Sequence, residues 1–195
     1  MAGEWLAVAN KWGHQIGGVV NILAQWMSGF DDGDTASTWA PKVGAAGTTV
    51  AVTPTLTVAA SYASGDFVGT SATAMTFANV ARVAGGTVTL FPALLLDRAV
   101  QSIVTELWLF DSAPTPPNDS VAWSISDADA AKAVAVLTFN TWYASALNSL
   151  SLSAQNPLKV KCASGSKDLY GCLVTRGAPS YASGDLTITL RVQQD

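Results

Sequence analysis

Residues 49–58 read TVAVTPTLTV. Hydroxyl-bearing and aliphatic side chains take turns along this stretch, and because successive strand side chains point to opposite faces, a period of two marks a half-buried β-strand. Pro54 has no amide hydrogen to give a neighbouring strand, so it marks an edge or a bulge. Further strands are expected downstream at residues 66–69, 74–79, 87–97, 104–110, 133–139, 158–162, 169–175 and 186–192, separated by turn-forming residues. Short strands at this spacing predict an all-β fold over residues 49–195, an antiparallel β-sandwich of jelly-roll-like type. One short helix is predicted at residues 127–133. Ser126 offers its N-cap, and Asp127 and Asp129 sit in the first turn, where the helix amides favour negative charge. Residues 111–119, DSAPTPPND, read as a rigid exposed loop, because three prolines fix the backbone and remove donors.

Upstream of the strands the period changes. Trp5, Val8, Trp12, Ile16, Val19, Leu23, Trp26, Met27 and Phe30 recur every three or four residues, the stripe of an amphipathic helix. Gly13, Gly17 and Gly18 weaken that helix by roughly 1 kcal/mol each relative to Ala, so it is expected to be stable only when its stripe is covered. Residues 35–47 then read as an extended linker. Residues 1–48 are therefore expected to form an N-terminal arm, with Trp5, Trp12, Ile16, Leu23 and Trp26 as the partner-binding residues.

The hexapeptide SYASGD occurs twice, at residues 61–66 and 180–185. Its chemistry is that of a tight turn: Gly supplies a positive φ, Asp bonds nearby amides, and Tyr packs beneath. Two identical turns entering two strands are expected at equivalent places at one end of the sandwich.

Composition restricts the function classes. Of the 195 residues 49% are hydrophobic and only 12% charged, with a net charge of −4, about half the usual charged share of about 25%. Ten Lys and Arg without a basic cluster argue against nucleic acid. No apolar stretch approaches the ~20 residues of a membrane span. One His, two Cys and two Glu are thin material for acid–base catalysis. His14 is remote in sequence from any strand-end serine, Asp127 and Asp129 suit a helix cap better than a glycosidase pair, and Asp31, Asp32 and Asp34 lack calcium-loop spacing. No enzyme, metal or cofactor is expected. Trp108 and Trp142 are expected in the core. Cys162 and Cys172 are read as lying on two facing strands joined by a turn over residues 164–168. Such thiols sit close enough to oxidise, but without an export signal they are expected to stay reduced as two small buried side chains.

SYASGDFVG (61–69), FANVARVAGGTVTL (77–90), LWLFDSAPTPPNDS (107–120), SDADAAKAV from Ser126 and LYGCLVTRGAPSYASGDLTITLRVQQD (169–195) together resemble a family of tailed-bacteriophage virion structural proteins of the capsid decoration, or cement, type. The resemblance covers residues 61–195. It implies a β-sandwich subunit of a virion assembled in the host cytoplasm. Its partners would be the major capsid protein, other virion subunits or further copies of itself. A tail- or fibre-associated protein binding host-surface glycans is the alternative.

Overall fold

The computed structural model describes residues 46–58 and 61–195; the arm residues Trp5, Trp12, Ile16, Leu23 and Trp26 lie outside the described residues. Among the described residues eleven strands and one helix follow one another: β1 (Ala46–Val52), β2 (Phe67–Val68), β3 (Met75–Phe77), β4 (Thr87–Asp97), β5 (Thr105–Phe110), α1 (Asp127–Ala130), β6 (Ala133–Phe139), β7 (Trp142–Ala144), β8 (Ser149–Leu152), β9 (Leu158–Lys161), β10 (Leu169–Thr175) and β11 (Leu186–Gln194). They form two antiparallel sheets. The first runs β1-β11-β4-β8-β7, with β9 also on β4; the second runs β2-β10-β5-β6, with β3 also on β10. The all-β sandwich is therefore present.

The core lies between the sheets, where Val88, Leu90, Leu95, Ile188 and Leu190 of the first meet Leu107, Leu109, Leu137, Phe139 and Leu173 of the second. The alternation in β4 and β11 produces this directly, because every second residue faces inward. Pro92 sits inside β4, where an ordinary ladder would need its missing amide hydrogen. The register with β11 slips there: Leu94 opposes Thr189 and Phe91 opposes Arg191, so β4 carries one extra residue as a bulge. The Ala93 amide turns to the other side and donates to the Ser153 hydroxyl at 2.7 Å.

The structure corrects several boundaries. β1 begins at Ala46 and ends at Val52, because Pro54 and its neighbours leave the ladder with β11. α1 is a single turn, and the chain enters β6 at Ala133. Ser126 caps it by accepting from the Asp129 amide at 3.1 Å. Two strands, β7 and β8, occupy a region where the sequence reading gave none. The loop at residues 111–119 is not uniformly exposed. Pro114 and Pro116 are buried, and the Asp119 carboxylate lies inside, accepting from the Val58 amide (2.8 Å), the Tyr62 hydroxyl (3.0 Å) and the Gly69 amide (3.2 Å).

The two SYASGD turns sit directly against each other. Ser61 and Ser180 form an antiparallel bridge, and the Tyr62 and Tyr181 rings lie 6.1 Å apart. Gly65 and Gly184 have φ of +95° and +94°. Asp66 accepts from the Ala63 amide at 2.7 Å, and Asp185 from the Ala182 amide at 2.6 Å. An antiparallel bridge between equivalent residues of identical segments defines a local two-fold axis, and it ties the entry of β2 in one sheet to that of β11 in the other.

Candidate interaction surface

Of the acidic side chains singled out by the sequence, Asp31, Asp32 and Asp34 lie outside the described residues, and Asp129 is committed to the fold. Asp129 accepts from Lys132 Nζ at 2.6 Å and from the Thr115 amide at 3.3 Å, and the lysine holds its carboxyl below the usual carboxylate range. It braces the turn into β6 and does not face Asp127 across a cleft. The buried Asp97 accepts from the amides of Ala99 and Ser102, both at 2.9 Å. Among the described residues no three His, Cys, Asp or Glu side chains gather where they could hold a metal ion.

Cys162 and Cys172 are free thiols in separate places. The expected hairpin between them does not exist, because β9 pairs with β4 in the first sheet while β10 lies in the second. Cys162 belongs to the core between the sheets. Cys172 shares a smaller cluster with Phe67 and Phe110, covered by Trp108, Trp123, Ile125 and Tyr170. Burial pushes the Cys172 thiol up to about 12, with the nearby Asp129 charge adding to it. Trp108 thus packs in this outer cluster, its ring 5.6 Å from that of Trp123, while Trp142 packs against the main core. The Trp108 indole nitrogen donates to Glu106 at 3.1 Å, and Glu106 in turn holds Arg176 through two bonds of 2.9 and 2.6 Å. These tryptophans are used within the domain.

The surface left without a use lies elsewhere. Residues 133–158 contain no Asp, Glu, Lys, Arg or His, and they fold into β6, β7 and β8. Topology places β6 at the edge of the second sheet and β7 at the edge of the first. Only Asn140 and Thr141 separate them, so both lie on one flank of the sandwich. Edge strands normally carry charges, prolines or bulges that discourage pairing with other chains; neither of these two has a charge or a proline, and β6 alone of the two has a bulge, at Val134.

The flank is also apolar. β8 reverses the expected polarity: Ser149 and Ser151 point inward, and Leu150 and Leu152 point out. Register sets Tyr143 beside Leu150 and Leu150 beside Leu96, while Leu152 pairs with Leu94, so an apolar row crosses three strands. Leu147 is 81% exposed, Tyr143 67%, Leu152 41% and Leu150 37%. Leu147 does not hang on a slack loop. The Ser145 amide donates to the Asn148 carbonyl at 2.7 Å, and the Ser145 hydroxyl accepts from the Asn148 amide at 3.2 Å. Covering a large aliphatic side chain completely is worth about 1.5–3 kcal/mol, and a turn that holds one out to water forgoes that gain. Clustered exposure of this kind marks a binding surface.

The sequence reading named none of these residues. The signal that finds them is the charge-free run, together with the alternation of Ser and Leu from Ser149 to Ser153. No protein-family model, no curated protein and no solved structure matches this chain.

Proposed function

We propose that this protein is a non-enzymatic structural subunit of a tailed-phage particle, a cement or decoration protein that stabilises the head lattice. The sandwich would sit on the major capsid protein or another virion subunit, with the N-terminal arm and its residues Trp5, Trp12, Ile16, Leu23 and Trp26 as a second attachment. The observation that carries this reading is the uncharged flank of β6, β7 and β8. An apolar face on a rigid sandwich suits permanent burial in an assembly, whereas a reaction site needs polar groups converging in a cleft. The low charge of the whole chain and its resemblance to decoration-type virion proteins support the same assignment.

Copy number tests it. Quantitative mass spectrometry of purified particles should find the protein at hundreds of copies per particle, in a fixed ratio to the major capsid protein. A handful of copies would indicate the tail or fibre instead, and absence from particles would end the structural reading.

A further inference from the structure

We propose that β7 is the seam of a homodimer, in which two copies meet flank to flank across a two-fold axis and β7 of one runs antiparallel to β7 of the other. The first sheet then continues through both copies. This deepens the structural-subunit reading by naming the partner, and it is tested in solution, away from any particle.

Three observations select a second copy as the occupant. First, among the described residues β7 pairs only with β8. Its outer N–H and C=O groups therefore present an open ladder, which another strand satisfies. A two-fold axis perpendicular to the strand makes that pairing antiparallel without any further adjustment.

Second, a two-fold contact brings each residue close to its own copy, so any charge near the axis would face a like charge. Each chain carries a net charge of −4, and contacts through its acidic surface are repulsive. The flank has no charge over residues 133–158 and escapes this penalty. A partner recognised by its opposite charge would call for ionised residues on the docking face, and β6, β7 and β8 have none.

Third, the side chains next to the open ladder are those that gain from being covered. Tyr143 is on β7 itself, Leu150 is its cross-strand neighbour, and Leu147 stands in the turn joining the two strands. An aromatic residue near the centre and aliphatic residues around it match the composition of homodimer cores.

Sedimentation equilibrium on the full chain is the test. The wild type should sediment as a dimer of the 20.1 kDa chain. Tyr143→Lys and Leu147→Lys each place like charges at the seam and should weaken association at least tenfold, with strand circular dichroism unchanged. Both sites are largely exposed, and if one variant misfolds the other carries the test. Val83→Lys, at an exposed position outside the flank, should dimerise as the wild type does. In hydrogen exchange the amides of residues 142–144 should be protected in the dimer and lose that protection in Tyr143→Lys. A wild type that stays monomeric at its highest soluble concentration overturns the proposal, as does a folded Leu147→Lys or Tyr143→Lys protein that dimerises undiminished. A dimer that never joins particles leaves the seam standing and refutes the particle role; a monomer found on particles does the reverse.

Discussion

Tyr62 and Tyr181 are chemically identical residues in identical hexapeptides, both buried in the main core, yet their hydroxyls meet different fates. Tyr62 donates to Asp119, whereas Tyr181 has no hydrogen-bond partner among the described residues. Removing a hydroxyl from a satisfied pair leaves a buried acceptor short, and removing an orphan relieves a desolvation cost. Tyr62→Phe should therefore lower stability by roughly 1–2 kcal/mol, and Tyr181→Phe should be neutral or stabilising, as urea midpoints will show. Equal losses at both sites would mean that Tyr181 finds a partner after all.

At the scale of elements, β10 depends on having no side chain at Gly171. A Cβ there would stand 2.6 Å from the Phe77 ring and 3.0 Å from a Leu107 methyl, because Phe77 of β3 lies over the strand that Gly171 occupies. Gly171→Ala should cost about 1–3 kcal/mol by overpacking, and adding Phe77→Leu should recover part of that loss in the same denaturation experiment. The longer strands were legible in sequence. β4, β6 and β10 begin and end at the residues expected for them, since each is a mostly apolar run with a Gly, Asp or Asn beside at least one end. β7 and β8 were not. They span three and four residues, and the inward face of β8 is serine, which reads as polar and exposed until the Ser149 hydroxyl is seen to bond Asp97 and that of Ser153, just past the strand, to accept from the Ala93 amide. The two cysteines were misread for a related reason. Closeness in sequence suggests a hairpin, but the pairing of β9 is decided by the free edge of β4, many residues away. The candidate surface was half legible: its missing charge can be counted from the sequence, but only the topology shows that both edge strands share one flank.

The whole molecule should be sensitive to alkali. Burial raises the Tyr62 and Tyr181 phenols above the ordinary value of 10.0, with Asp119 adding to the effect at Tyr62 and Asp97 at Tyr181. Both hold their protons more tightly when folded than when unfolded. The stability they contribute is complete below pH 10.0 and is lost as pH rises beyond it. Melting temperature should stay level from pH 8 to 9.5 and then fall steeply, with phenolate absorbance appearing together with unfolding, and the fall should be shallower in Tyr62→Phe. A level melting temperature up to pH 12 would show that these phenols ionise without loss of the fold. The position of β11 has a different kind of consequence, one of timing. This strand lies between β1 and β4 in the first sheet, and the turn that leads into it bridges Ser180 to Ser61. While β11 is still inside the ribosome, β1 lacks its ladder partner, β4 lacks one neighbour and the sandwich stays open, so closure waits for β11, the last strand of the sandwich, to emerge. For that interval the nascent polypeptide carries its uncharged strands unsheltered, and its yield in a cell should depend on chaperone supply more than the stability of the finished domain would suggest.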